Sequence, residues 1–396
     1  MENIEPEKKN SDIIILVNGP GELASYVRPT LEALHRRPTR PRITIVFSPC
    51  PYSTGKETQI AKSFPGVSQV INDREFFRWM LIRKLPKGVE FGRSGVVVYM
   101  GGDILYGKMI AKRLKYPAIA YSEAYAKWPH VYKAFLVPDK QTFNKFKSQG
   151  FPENQIKIVG NLMVDSVRAE KDRETMFKNL RLDPGKRLVS FMPGSRKFQV
   201  QYMFHFFSKV AGEIRKLRND CQFVFIISPY LRHELLQKYA GKADPSILIV
   251  TEDQQSAIAA SDLVITIPGT NTAEVAVLGT PIISVFPSNN SQMIPFEGIY
   301  EMIGKVPVLG YIFKKICVKI LLSRTRFFTI PNIKTGMEIV PELKDKVLPR
   351  TVADMAAKLL DNPEKLDEMR KQLRSSLGPR GAAENVAREI LNETLH

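Results

Sequence analysis

Cysteine, histidine and metal-binding motifs are scarce in this sequence, and each scarcity excludes a kind of site. Only 3 cysteines occur in 396 residues, namely Cys50, Cys221 and Cys317, and no two of them form a CxxC pair. An odd number of widely spaced cysteines disfavours both a disulfide framework and a structural zinc site. Only 5 histidines are present, and neither an HExxH nor a DxD motif occurs, so we expect no metal site.

Long apolar runs are also missing. No segment reaches the roughly 18 consecutive apolar residues that a bilayer-spanning helix needs. The N-terminal sequence MENIEPEKKNSD is polar and charged, so it lacks the apolar core of a secretory signal peptide. We therefore expect a protein of a reducing, cytoplasmic compartment that does not cross a membrane by itself.

Acidic residues are in the minority. The 58 lysines and arginines outnumber the 40 aspartates and glutamates, which gives a formal charge of +18. Nucleic acid, anionic lipid and anionic small molecules are the partners that such a charge attracts.

Residues 76–85 and 294–329 mix basic with large apolar side chains, a composition typical of segments that lie on an anionic bilayer. A buried crossover helix with a solvated basic edge is the alternative for 294–329. No RNA-binding signature is found, so we expect no nucleic acid partner.

Short β-branched runs alternate with helical segments along the chain. The runs IIILV at 13–17 and GVVVYM at 95–100 are typical of parallel strands buried on both faces. The alternation restarts at residues 187–192. We therefore predict an α/β fold with two doubly wound, Rossmann-like domains, at residues 1–165 and 166–365. A C-terminal helical segment, residues 366–396, is expected to pack back on the first domain.

Two loops of the second domain have the composition of phosphate-binding turns. Residues 193–196 (PGSR) and 268–274 (PGTNTAE) each lie between a predicted strand and a helix. Backbone N–H groups at such a helix start bind phosphate, and Arg196 could add a bidentate contact. Glu274 could accept hydrogen bonds from a ribose. Ordinary β-to-α turns, with Thr270 or Asn271 as the N-cap, are the alternative for either loop alone. The presence of both loops at matching strand ends of one domain favours a nucleotide site.

Three carboxylates mark the corresponding edge of the first domain. Asp103 follows the strand 95–100 and a Gly-Gly pair, so it could act as general base on an acceptor hydroxyl. The alternative role for Asp103 is the N-cap of the next helix. Glu22 and Glu123 are rival candidates for the base.

The motifs PGSR at 193–196, PGTNTAE at 268–274, Pro331-Asn332 and VPEL at 340–343 together resemble the lipid-A-disaccharide synthase family. The resemblance implies a GT-B inverting glycosyltransferase that moves an acylated glucosamine from UDP to a lipid-linked monosaccharide at the inner membrane face. It places Asp103 where the family's candidate base lies. It also implies that the nucleotide is held by residues of the two loops: Gly194, Ser195, Arg196, Gly269, Thr270, Thr272 and Glu274. Asn271 of the second loop is a further candidate for nucleotide binding.

The acceptor-side motifs depart from the family pattern. The first loop reads Asn18-Gly19-Pro20-Gly21-Glu22-Leu23 and keeps Glu22 without a following Ser-Gly-Asp. The family's Ser-Pro-Ser-Val-Trp-Ala-Trp stretch is reduced to YSEAYAKW at 121–128. These departures leave two alternatives to the family's own substrates: a different acceptor, or a different acylated donor.

The sequence thus predicts a peripheral enzyme of the cytoplasmic membrane face. Its partners would be a UDP-sugar, a lipid-type acceptor and the anionic bilayer, and the UDP-sugar would serve as substrate with no separate cofactor. The alternatives are a UDP-N-acetylhexosamine 2-epimerase, or a non-catalytic basic protein that binds a membrane surface or nucleic acid.

Overall fold

The chain divides into two compact units. The computed structural model describes residues 11–50, 55–123, 126–194, 197–227, 247–287 and 325–394. The first unit comprises residues 1–166 and 378–396, and the second comprises residues 167–377.

The first unit contains a sheet of seven parallel strands in the order β3-β2-β1-β4-β5-β6-β7. These strands are β1 (Asp12–Val17), β2 (Arg42–Phe47), β3 (Val67–Ile71), β4 (Gly95–Tyr99), β5 (Ala118–Tyr121), β6 (Tyr132–Val137) and β7 (Ile156–Ile158). In β1, Ile13, Ile15 and Val17 pack into one core cluster, and Ile14 and Leu16 pack into another. Since side chains alternate along a strand, β1 is buried on both faces, as its apolar run predicts.

Helices cover both faces of this sheet. They are α1 (Pro20–Glu22), which continues through a π-helical turn (Leu23–Val27) into α2 (Arg28–His35), then α3 (Glu57–Lys62), α4 (Asp73–Ile82), α5 (Ile104–Leu114), α6 (Lys140–Ser148) and α7 (Leu162–Ser166).

The second unit contains six parallel strands in the order β10-β9-β8-β11-β12-β13. They are β8 (Arg187–Met192), β9 (Cys221–Ile226), β10 (Leu248–Val250), β11 (Leu263–Thr266), β12 (Ile282–Pro287) and β13 (Glu342–Asp345). The helices are α8 (Arg173–Leu180), α9 (Lys197–Leu217), α10 (Gln254–Ala260), α11 (Thr270–Leu278), α12 (Ile330–Thr335), α13 (Pro349–Leu360) and α14 (Pro363–Ser376). The two parallel sheets with alternating helices confirm the predicted α/β class with two Rossmann-like units.

The C-terminal return to the first unit begins later than the sequence suggests. The predicted boundary at residue 366 falls inside α14, which buries Leu366, Met369 and Leu373 in the second unit. The last helix, α15 (Ala382–Thr394), belongs to the first unit. The carboxylate of Asp165 accepts hydrogen bonds from the N–H groups of Gly381 and Ala383, at 2.8 and 2.7 Å, and so caps the start of α15.

The segment 294–329, predicted to lie on a bilayer, is described only from residue 325 onward, and residues 294–324 lie outside the described part. In the described part of the chain, no helix combines the length and the apolar character that a bilayer crossing requires.

Candidate active site on two strand edges

Three adjacent strands of the first unit end in small or polar residues. Asn18 follows β1, Ser48 follows β2, and the pair Gly101-Gly102 follows β4. The strand ends are held level, because the N–H of Ser48 donates to the Val17 carbonyl at 2.9 Å and the N–H of Met100 donates to the Leu16 carbonyl at 2.9 Å. Ligands of open parallel sheets bind at this carboxyl edge.

Gly101 and Gly102 let the backbone approach these polar side chains. A Cβ atom at Gly101 would stand 2.9 Å from Oδ1 of Asn18, and one at Gly102 would collide with Oγ of Ser48. Gly102 also has a φ of +87°, which disfavours other residues. Its carbonyl accepts a hydrogen bond from the Tyr99 hydroxyl at 2.7 Å, which fixes the turn.

Two of the polar atoms at this edge have no hydrogen-bond partner among the described residues. They are Oδ1 of Asn18 and Oγ of Ser48, and both atoms are buried. Because buried polar groups in proteins are nearly always paired, such atoms require an explanation.

Glu22 lies at the same edge, at the end of α1. The position of a Cβ atom on Gly101 is 3.1 Å from Cγ of Glu22, and the same position on Gly19 is 2.9 Å from Oε2 of Glu22. The Glu22 side chain therefore lies beside residues that follow both β1 and β4, a position suited to a general base for a ligand at this edge.

Glu123, which follows β5, is held by tyrosine hydroxyls. The Tyr121 hydroxyl donates to Oε1 of Glu123 at 3.1 Å, and the Tyr26 and Tyr121 rings lie 5.0 Å apart. Burial, followed by the negative charges of Glu123 and Glu22, raises the pKa of Tyr26. Burial and the charge of Glu123 likewise raise the pKa of Tyr121. Both tyrosines therefore stay protonated, and the field around them is negative.

Asp103 performs the capping role that was its alternative interpretation. Its carboxylate accepts a hydrogen bond from the N–H of Leu105 at 2.9 Å and caps α5. The residue is exposed at the carboxyl edge of β4. A carboxylate at an exposed helix start is free to face a ligand as well, so its catalytic role stays a prediction.

In the second unit, Gly194 follows β8 and makes a tight turn. Its φ is +105°, and a Cβ atom there would lie 2.7 Å from Oε1 of Gln199 and 2.8 Å from Cδ1 of Ile267. Glycine is therefore required at this position. Ser195 and Arg196, predicted to bind the nucleotide, lie outside the described residues.

The second predicted loop forms an open helix start. Gly269, with a φ of +138°, occupies the N-cap position of α11, so neither Thr270 nor Asn271 caps this helix. No described atom lies within 4 Å of the place where a Cβ atom on Gly269 would stand. Thr270 is exposed and Asn271 partly exposed. The start of α11 therefore carries no side-chain cap, and helix starts of this kind are typical of phosphate-binding turns.

Thr272 and Glu274 are engaged with neighbouring segments. The buried Thr272 hydroxyl donates to the Gly269 carbonyl at 2.7 Å and accepts from the N–H of Ile330 at 3.2 Å. Thr272 therefore fixes the turn and joins α11 to α12. Glu274 accepts a hydrogen bond from Nε2 of Gln255 at 3.1 Å and is partly exposed.

Asn332 and Glu342 form a buried polar cluster that the sequence marks only through the family-like motifs. Asn332 donates to the Val340 carbonyl and to Glu342, and its Oδ1 accepts from the N–H groups of Ile339 and Val340, all at 2.8–2.9 Å. Glu342 also accepts from the Thr329 N–H and hydroxyl, each at 2.8 Å. The cluster holds α12, and through Ile330 it supports the turn at Thr272.

Solved structures with this fold include nucleotide-sugar proteins. UDP-GlcNAc 2-epimerase from Neisseria meningitidis bound to UDP-GlcNAc has a TM-score of 0.59 at 12% identity, and covers 97% of this chain and 99% of that one. The Methanocaldococcus jannaschii UDP-GlcNAc 2-epimerase in complex with UDP-GlcNAc and UDP has a TM-score of 0.56 at 15% identity, with 96% and 99% coverage. At such identities the likeness shows a shared fold.

Curated relatives are lipid-A-disaccharide synthases. The protein from Geobacter sulfurreducens is 26% identical over 240 residues, which are 60% of this chain and 56% of the relative. The one from Neisseria meningitidis is 27% identical over 244 residues, with 60% and 57% coverage. The chain thus spans little more than half the length of these relatives.

The family model for lipid-A-disaccharide synthetase matches residues 122–384. The match includes the turns at Gly194 and Gly269 and the Asn332–Glu342 cluster, and it begins after Asn18, Ser48 and Asp103. Since it covers well over half of the sequence, the chain belongs to the lipid-A-disaccharide synthetase family.

Proposed function

We propose that this protein is an inverting glycosyltransferase that moves a sugar from a UDP donor to a hydroxyl of a lipid-linked acceptor. The observation that carries the proposal is the open start of α11 in a chain of this family. Gly269 leaves space before that helix, and the buried Thr272 holds its first turn in place.

The second unit would bind the donor. The diphosphate would accept hydrogen bonds from the first N–H groups of α11, with the positive end of the helix dipole behind them. Arg196 would neutralise the charge that develops on the leaving UDP. Glu274, partly exposed on the same helix, would accept a hydroxyl of the ribose. Solved proteins of this fold that hold UDP or UDP-GlcNAc support this assignment.

The first unit would bind the acceptor and supply the base. A carboxylate, either Glu22 or Asp103, takes the proton of the acceptor hydroxyl as its oxygen attacks the anomeric carbon. The bond from that carbon to UDP breaks, and its electron pair leaves with the β-phosphate. Attack on the face opposite UDP inverts the anomeric configuration. The family supports a glucosamine-type donor, acylated or N-acetylated, in lipid A synthesis.

An exposed apolar surface on α4 supports attachment to the cytoplasmic membrane face. Phe77, Leu81 and Ile82 are 44%, 79% and 61% exposed, while Phe76 and Trp79 on the other side of α4 are buried. Exposed basic side chains flank the three apolar ones: Arg74, Arg78, Arg83 and Lys84. We call these seven residues the α4 surface. Apolar side chains ringed by cations suit insertion into an anionic lipid interface.

The donor site is tested by calorimetric titration of UDP into the wild type, Arg196→Ala and Lys371→Ala. We expect micromolar binding by the wild type, and roughly 10- to 100-fold weaker binding by Arg196→Ala, because a hydrogen bond to a charged group is lost. Lys371→Ala removes one exposed charge from α14 of the same unit and should bind UDP as the wild type does.

Two other outcomes favour the alternative functions. Inversion at C2 of UDP-GlcNAc, without any acceptor, would indicate an epimerase on this fold. No binding of UDP or of another nucleoside diphosphate would contradict the transferase and leave a non-catalytic surface-binding protein.

A further inference from the structure

Asn18 and Ser48 are unusual because each carries a buried, unpartnered oxygen and both side chains lie beside the same glycine turn. Both contact the same turn: a Cβ atom on Gly102 would collide with Oγ of Ser48 and stand 3.1 Å from Cβ of Asn18. Ser48 is only 1% exposed. Neither Oγ of Ser48 nor Oδ1 of Asn18 has a hydrogen-bond partner in the described part of the chain. Two adjacent unsatisfied polar atoms cost stability unless a ligand pairs with them.

The chemistry of the two atoms selects the ligand group. Oδ1 of an asparagine only accepts hydrogen bonds, whereas a serine hydroxyl both donates and accepts. A ligand hydroxyl can donate to Asn18 and accept from Ser48, which satisfies both atoms at once. A fully ionised phosphate oxygen, such as that of a phosphodiester, has no proton to give to Asn18. The two glycines of the turn add no side chain over these atoms, and Asn18 and Gly102 are partly exposed, so the turn is accessible to a ligand although the two oxygen atoms themselves are buried.

The negative charge at this edge also favours an uncharged ligand group over a phosphate. Cγ of Glu22 lies 3.1 Å from the Cβ position on Gly101. Burial is the main cause of the raised pKa of the Tyr26 hydroxyl, and the negative charges of Glu123 and Glu22 raise it further. A negative field of this kind repels phosphate and tolerates an uncharged group.

We infer that Asn18 and Ser48, beside the Gly101-Gly102 turn, form a subsite for a hydroxyl of an uncharged sugar ring in the acceptor. The inference rests on the proposed function, because it names the acceptor group that the first unit would hold. The family match begins at residue 122, after both residues.

The test measures binding of methyl glucoside and of inorganic phosphate by ligand-observed NMR. The variants are Asn18→Ala, Ser48→Ala and, as a matched control, Ser284→Ala. Ser284 is fully buried in β12 of the second unit, and its hydroxyl also has no partner among the described residues. We expect methyl glucoside to bind the wild type and Ser284→Ala equally. Each subsite variant should weaken that binding about 3- to 10-fold, the effect of one hydrogen bond.

Thermal unfolding separates this role from a structural one. Since the Ser48 hydroxyl has no partner to lose, Ser48→Ala should unfold at the wild-type temperature or above it, as Ser284→Ala should. The inference is overturned if methyl glucoside does not bind, if the subsite variants bind it normally, if Ser48→Ala lowers the unfolding temperature, or if phosphate binds in a way that Asn18→Ala weakens.

Calorimetry with UDP on the same variants keeps the inference apart from the proposed function. If the subsite variants bind UDP normally but bind methyl glucoside poorly, the result supports both the subsite and the proposed function. Normal glucoside binding without any UDP binding would remove the transferase and leave the subsite standing.

Discussion

At the scale of single residues, the choice between Glu22 and Asp103 as base is the sharpest open question. Asp103 already caps α5 through its bond to the Leu105 N–H, and asparagine caps helices as well as aspartate does. Asp103→Asn therefore removes the base and keeps the cap. Glu22 has no such capping role, and it reaches the glycine turn directly.

We expect one of the two substitutions, Asp103→Asn or Glu22→Gln, to lower kcat by about 100-fold or more, the contribution of general base catalysis. The unfolding temperature and the affinity for UDP should stay at the wild-type values for both. Transfer from UDP-GlcNAc to a lipid acceptor, followed at saturating donor, measures kcat. If both variants turn over normally, neither carboxylate is the base, and Glu123 becomes the next candidate.

Sequence reasoning locates residues at the ends of strands better than it finds their partners. Asn18, Asp103, Gly194 and Gly269 all lie within about three residues of the end of a predicted strand, because continuous apolar runs have clear ends. The sequence does not predict that Asn18 and Ser48 each have an unpartnered oxygen beside the Gly101-Gly102 turn. That arrangement arises because β2, β1 and β4 are neighbours in the sheet, and strand order is a property of the tertiary fold.

At the scale of elements, the Asn332–Glu342 cluster holds α12, and α12 in turn contacts the first turn of α11. The fully buried Asn332 makes four hydrogen bonds, and the N–H of Ile330 on the same helix donates to Thr272. Breaking a buried network is among the few mechanisms that give large losses of stability. When this cluster is broken, α12 should no longer hold the turn before α11 in a fixed position.

We therefore expect Asn332→Ala to lower the free energy of unfolding by about 2–4 kcal/mol and to weaken UDP binding. Asn362→Ala is the matched control. Asn362 caps α14 by accepting from the Lys365 N–H at 2.9 Å, so its loss should cost about 1 kcal/mol and leave UDP binding unchanged. Urea unfolding and calorimetry measure the two effects. Normal UDP affinity in folded Asn332→Ala would show that the cluster serves stability alone.

Elements with weak patterns were missed or misplaced. β13 has the polar sequence ELKD, which does not predict a strand, and the motif that contains it stands out only through its resemblance to the family. The C-terminal helices are both amphipathic, so periodicity could not tell that α14 packs in the second unit while α15 packs in the first. Which sheet an amphipathic helix covers is decided by tertiary packing.

At the scale of the whole molecule, the excess of positive charge and the α4 surface together predict binding to anionic membranes. Charge attracts the protein over a Debye length, and apolar insertion then holds it. We expect co-flotation with phosphatidylglycerol vesicles, weak binding to phosphatidylcholine vesicles, and a decrease in binding as salt is raised.

Leu81→Ser tests whether the α4 surface makes the contact. Leu81 is 79% exposed, and burial of a leucine side chain in lipid contributes about 1.5–3 kcal/mol, so we expect roughly 10-fold weaker binding or more. Leu348→Ser is the control, because Leu348 is 63% exposed at the start of α13 in the second unit. If Leu81→Ser and Leu348→Ser both float as the wild type does, the α4 surface is not the anchor. The basic and apolar residues 294–329 would then be the segment to substitute next, because their composition is the other one in this chain that suits a lipid interface.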